Sequence, residues 1–83
     1  MDMKAMMKEN NDEMMSLQMT GDPDVDFATM MRMHHQGAIE MAQMQFQSGK
    51  DPEMRKMARK IIADQKKEIA QFDKWLAKQT KQK

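Results

Sequence analysis

Apolar and polar positions along this chain recur at three- and four-residue spacing, interrupted twice by turn residues. That spacing is the signature of one face of an α-helix, which has about 3.6 residues per turn. In the first stretch the apolar line runs Met3, Met6, Met7, Asn10, Met14, Leu17, and predicts a helix from about Asp2 to Met19, with Asn10, Asn11 and Asp12 weakening its middle. Gly21 suits the left-handed position past a helix end. Asp22 is then placed to cap a second helix, Pro23 opens it, and Asp24 and Asp26 favour its positive end. This helix is predicted from Pro23 to about Gln47, ending at Ser48-Gly49. The punctuation repeats as Asp51-Pro52-Glu53, and a third helix is predicted from Pro52 to about Gln79. No alternating β-branched run occurs and Val25 is the only valine, so strands are not expected. Both connections are short, which makes neighbouring helices antiparallel. The expected fold class is all-α: a single domain over residues 1–83, built as an antiparallel three-helix bundle or hairpin.

The faces of these helices carry polar residues in unusual places. At about 100° per residue, Phe27, Met30, Met31, His34, Ala38, Met41 and Ala42 share one face of the second helix. His34 lies near the centre of that face and His35 on its flank, and Gly37 leaves a gap beside His34 where another group can approach closely. The third helix presents Met54, Met57, Ala58, Ile61, Gln65, Glu68, Ile69, Phe72, Trp75 and Leu76. Glu68 in the middle of that stripe is costly unless paired. Folding back around Gly49-Lys50 sets Phe27 against Phe72, Ala38 against Ile61, Met31 against Glu68 and His34 against Gln65. A polar layer of His34, His35, Gln65 and Glu68 is therefore expected inside the hairpin. It has two readings: a satisfied core hydrogen-bond network, or an arrangement in which Gln65 or Glu68 holds one imidazole nitrogen while the other binds metal. Folding back at Gly21-Asp22 sets Met14 beside Met30, Met7 beside Gly37 and Met3 beside Met41.

Composition sharpens the second reading. The chain has 14 methionines, two histidines and no cysteine, while Leu17 and Leu76 are its only leucines. Methionine is ordinarily a flexible core filler. Leucine is normally among the commonest residues and has similar helix propensity, so helix formation alone does not favour the exchange. A thioether is a soft, uncharged donor suited to Cu(I), imidazole also suits copper, and without thiols no disulfide can form. The pairs Met3/Met6, Met30/Met33, Met41/Met44 and Met54/Met57 can each point two sulfurs at one spot. The expected metal ligands are Met3, Met7, Met14, Met30, Met31, His34, His35, Met41 and Met44, and the expected ion is Cu(I), with Ag(I) as a second candidate. Because successive helical residues diverge by about 100°, two adjacent sites are expected: His34 with Met30 and Met41, and His35 with Met31.

Charge and length bound the rest. Charged residues make up 33% of the chain but the net charge is only +1, and the signs are mixed apart from a basic tail at Lys74, Lys78, Lys81 and Lys83. That argues against a nucleic-acid protein. There is no run of 18 apolar residues, so no membrane insertion is expected. No signal segment opens the chain, which leaves both the cytosol and a removed leader open. A core of this size is marginal, and a homodimer is expected to help it. Glu-x-x-His, which a di-iron site needs, is absent, and Ser16 and Ser48 lack the context of a nucleophile. No catalysis is expected. The competing function is a structural or adaptor bundle with a methionine-rich core and no metal role.

The run from Asp26 to Ala42, with Met31 three residues before His34-His35 and then Gln36-Gly37-Ala38-Ile39-Glu40-Met41-Ala42, closely resembles a bacterial family. That family is named domain of unknown function three hundred and five, and the likeness is to its copper-binding, CopM-like members. Asp51-Pro52-Glu53, Ala58, Ile61-Ile62, Gln65-x-x-Glu68-Ile69 and Trp75-Leu76 extend the resemblance over about residues 22–77. It implies a ferritin-like helical bundle of the periplasm or cell envelope. Such a protein would sequester, buffer or transfer Cu(I) in metal tolerance, handing it to a copper-exchange partner protein. Carried over residue by residue, it implies Met31, His34, His35 and Met41 as ligands. Family members often carry two such repeats; this chain has one, with a methionine-rich first helix, which suggests a three-helix unit or dimerisation.

Overall fold

Each helix starts where an aspartate stands ready to accept a hydrogen bond from the backbone of its first turn. The computed structural model describes the backbone of residues 2–81 and the side chains of residues 2–79. Helix α1 spans Met3–Met15, α2 Pro23–Ser48 and α3 Pro52–Lys81, with no strand among the described residues. Asp2 accepts from the Ala5 N–H at 2.8 Å, Asp22 from Asp24 at 3.0 Å and Asp51 from Met54 at 2.9 Å. Each satisfies a backbone donor that has no partner within the helix. Gly21 adopts the left-handed conformation, φ +92°.

The one misjudged boundary is the end of α1, at Met15 rather than Met19. The Ser16 hydroxyl donates to the Glu13 carbonyl at 2.7 Å, a local bond that competes with helix continuation. The chain is then fixed by the start of α2. The Asp26 carboxylate accepts from the Thr20 N–H at 2.9 Å, the Thr20 hydroxyl at 2.8 Å and the Gly21 N–H at 3.3 Å. The last lysine of the basic tail, Lys83, and the side chain of Lys81 lie outside the described residues.

Helix α2 is the centre of the molecule. Toward α3 it presents Ala28, Arg32, His35, Ile39, Ala42 and Phe46, all buried or half-buried, and α3 answers with Ala58, Ile62, Gln65, Ile69, Phe72 and Leu76. Both lists alternate steps of four and three, the seven-residue seam of two helices packed side by side. The pairs Phe27–Phe72, Arg32–Asp73 and His35–Glu68 make the hairpin antiparallel. Phe27 meets Phe72 as expected, edge to face at 6.3 Å. Farther along, the expected register is wrong: Glu68 meets His35 rather than Met31, and His34 is not in this seam. The stripes drawn from the sequence counted every apolar side chain as core. Two helices alone bury a narrower line, and Phe27, Met54, Met57 and Ile61 stay exposed.

Helix α1 packs on another side of α2 and makes no close backbone approach to α3 among the described residues. Its half-buried line is Met3, Met6, Asn10 and Met14, as its spacing predicts, with Leu17 following in the connection and Met7 exposed. The Asn10 side-chain amide donates to the Met33 carbonyl at 3.1 Å. It sits over Gly37, where a Cβ would lie 2.6 Å from the Asn10 amide carbon and oxygen. The gap expected at Gly37 is therefore filled by Asn10. The Cα trace is a thin layer, 48 × 24 × 14 Å, and no helix is long and apolar enough to cross a membrane among the described residues.

The Asp26 anchor has a pH signature. Hydrogen bonds from the Thr20 N–H first, then from the Thr20 hydroxyl and the Gly21 N–H, hold its carboxyl below the ordinary carboxylate range. A folded-state value below the unfolded one of about 3.9 stabilises the fold above that pH. The gain is lost as pH falls through the folded value. Asp26→Asn is expected to lower the urea midpoint at neutral pH and to make the decline below about pH 4 shallower than in the wild type. Parallel declines in the two proteins would show that Asp26 does not anchor this turn.

Candidate functional site

The two adjacent histidines leave α2 in different directions and enter different surroundings. Their ring centroids are 6.0 Å apart and their planes meet at 64°.

His35 turns into the α2–α3 seam and is only 7% exposed. Its Nε2 lies 3.0 Å from Glu68 Oε1, and its ring packs edge-on against Phe72 at 5.5 Å. Glu68 is not deep in the core as its stripe position suggested. Its side chain is 48% exposed, so the carboxylate reaches His35 while keeping contact with water. That resolves the cost of an acid on this stripe. His35 Nδ1 is buried with no hydrogen-bond partner among the described residues. A neutral ring that donates through Nε2 keeps a lone pair on Nδ1. A carboxylate on one nitrogen and a free lone pair on the other is how metal-binding imidazoles are commonly oriented.

One turn before His35, Arg32 forms a two-pronged ion pair with Asp73, Nη2 to Oδ2 at 3.2 Å and Nε to Oδ1. The hydrogen bond from Arg32 holds the Asp73 carboxyl below its ordinary range, and Asp73 raises the guanidinium. The pair is solvent-exposed, so it fixes register more than it adds stability.

His34 turns toward α1 and is exposed. It lines a cavity of about 360 Å³ together with Met7, Asn10, Met14, Gly37 and Met41. One imidazole and three thioethers thus share a cavity whose lining contains no Asp, Glu, Lys or Arg. Met7 and Met14 lie on either side of Asn10, the residue that seats α1 on α2.

The remaining expected ligands are distributed elsewhere. Met30 and Met31 are half-buried on α2 and do not line the His34 cavity. Met44 lines a cavity with Asp2, Met3 and Ser48. Met3 and Met41 line a groove with Met54 and Met57. Gln65 lies half-buried on the seam with its Oε1 buried and without a hydrogen-bond partner among the described residues. The expected polar layer therefore reduces to the bonded pair of His35 and Glu68, with Gln65 nearby on α3 and His34 on the side toward α1.

Sequence reasoning missed Asn10 as the residue that seats α1, and the Arg32–Asp73 pair. The seven-residue spacing from Ala28 through His35 to Ala42 was the signal that His35, not His34, belongs to the seam. No group of three or more His, Cys, Asp or Glu side chains is gathered among the described residues. The donors this fold assembles are neutral and mostly sulfur.

No curated protein matches the chain. A family model described as a domain of unknown function, DUF305, matches residues 1–76, so the match includes α1 and the connection after it as well as the His34-His35 hairpin. The chain belongs to the DUF305 family.

Proposed function

We propose that this protein binds a soft monovalent metal ion, Cu(I) or Ag(I), as cargo for sequestration, buffering or transfer in copper tolerance. The observation that carries the reading is the cavity in which His34 meets Met7, Met14 and Met41. Thioether and imidazole donors select for softness rather than charge, and a monovalent ion needs no carboxylate to balance it. Met7 and Met14 come from a helix held in place by Asn10 over Gly37, so the donors of α1 and α2 face each other without metal. His35, oriented by Glu68, is a second imidazole, whose Nδ1 is buried with no hydrogen-bond partner among the described residues. The resemblance to copper-binding, CopM-like members implies the same activity in the periplasm or cell envelope.

The competing reading, in which methionine merely fills a core, accounts for part of the burial pattern: Met3, Met6, Met14, Met30, Met31, Met33, Met41 and Met44 are half-buried, whereas Met7, Met15, Met19, Met54 and Met57 are exposed. The exposed methionines fill no core.

Titration with Ag(I), followed by native mass spectrometry and by NMR of the histidine rings, tests the proposal. Specific uptake with a shift of the His34 ring is expected, and excess Zn(II) should not displace the silver. His34→Ala and Met7→Leu/Met14→Leu should each weaken binding by about tenfold or more, about 1.4 kcal/mol. An adaptor bundle takes up no silver. Unmoved histidine signals at saturating metal would remove His34 and His35 from the site.

Glu68→Ala separates support of the imidazole from support of the fold. Affinity is expected to fall by roughly tenfold, the usual consequence of losing a partner that orients a ligand. Stability is expected to fall by on the order of 1 kcal/mol, because His35 Nε2 loses its acceptor. A loss of stability with unchanged affinity would make the His35–Glu68 bond purely structural.

A further inference from the structure

We propose a second soft-metal site, made of thioethers alone, in the groove lined by Met3, Met41, Met54 and Met57. It rests on the reading of the chain as a soft-metal binder and adds a place for the ion that the histidine pair does not provide. The groove has a volume of about 340 Å³ and lies where the first turn of α1, the middle of α2 and the start of α3 converge. Its four methionines come from all three helices.

Met54 and Met57 contribute little to helix packing. They stand outside the α2–α3 seam and remain 43% and 52% exposed. Three residues apart, they lie on one face of α3 and can aim two sulfurs at one point. Apart from the methionines the lining is alanine, isoleucine and Gln45, with no charged side chain to repel a cation or to capture a harder one. Three or four neutral sulfurs around a monovalent ion form a donor set suited to Cu(I) or Ag(I) and poor for Zn(II) or Mg(II).

The groove adjoins the histidine site. Met41 and Ala38 line both this groove and the His34 cavity. An ion held by His34, Met7 and Met41 can therefore keep its Met41 bond while it exchanges His34 and Met7 for Met3, Met54 or Met57. Only ligand bonds break and form, the oxidation state is unchanged, and the ion need not be released to water.

The test is an Ag(I) titration of the full chain carrying ¹³C-methyl methionine, read by methyl and histidine NMR and by native mass spectrometry. Silver is expected to bind in two distinguishable steps, with the Met3, Met54 and Met57 methyls moving in one of them and Met41 in both. Met54→Leu/Met57→Leu, which conserves side-chain volume at exposed positions, should lose one step and keep the His34 shift. Helical circular dichroism confirms that the variant is folded, and the wild-type methyl shifts decide the question even if it is not. Retention of both steps in the variant, or unmoved Met54 and Met57 methyls in the wild type, overturns the second site and leaves the His34 site standing. Absence of any silver uptake by the wild type overturns both. Methyl shifts that follow protein concentration rather than silver would identify a contact between copies of the chain and overturn the site.

Discussion

Because α1 makes its close backbone approaches to α2 and not to α3 among the described residues, the α2–α3 seam has to hold the hairpin without a third layer above it, and it does so around a buried imidazole. The seam is built from small residues. Ala28, Ala42 and Ala58 bring the helices close, Ile39 and Ile69 supply most of the buried apolar volume, and His35 sits between them. In so slight a core an unpaired polar ring would be a serious loss. Glu68 meets one of its two nitrogens from the edge of the seam, where its carboxylate needs no burial of its own. Phe72 closes the ring from the side and continues to Phe27, so one aromatic links the histidine level to the start of α2.

Much of this was legible in the sequence, for reasons that can be named. The repeated Asp-Pro openings at Asp22-Pro23 and Asp51-Pro52 mark helix starts chemically, and Gly21 had to be left-handed or replaceable. The half-buried line of α1 followed its spacing because that helix makes its close backbone approaches to α2 alone among the described residues. Helix α2 defeated the same method because it has two such neighbours. Its residues form two adjoining stripes, one toward each neighbour, and averaging them put His34 at the centre of a face that does not exist. Asn10 looked like a flaw in an apolar helix, since nothing in its own helix shows the Met33 carbonyl and the bare Gly37 backbone waiting opposite. Gathering Met7, Met14, Met41 and His34 into one cavity depends on that long-range contact. The sequence supplied the donors but not their grouping.

The histidine pair illustrates how one helix serves two tasks with adjacent residues. His35 is enclosed, bonded to a carboxylate and packed against an aromatic ring, and its orientation is set by the seam. His34 is open to water and is grouped with thioethers from another helix. Any ligand set that includes His34 depends on α1 being in place, whereas the setting of His35 depends on α3. Proper docking of the first helix and integrity of the hairpin are thus separate conditions on the chemistry of neighbouring side chains.

The Asn10–Gly37 contact also divides the chain in a way its length conceals. At position 37 the space that a methyl group would occupy is taken by the amide of another helix. The smallest possible side chain there would compete with the seat of α1 while leaving every residue of the α2–α3 seam unchanged. The fit of α1 on the hairpin is therefore keyed to the absence of one carbon atom. An added methyl would press on the Asn10 amide, not on the backbone of either helix.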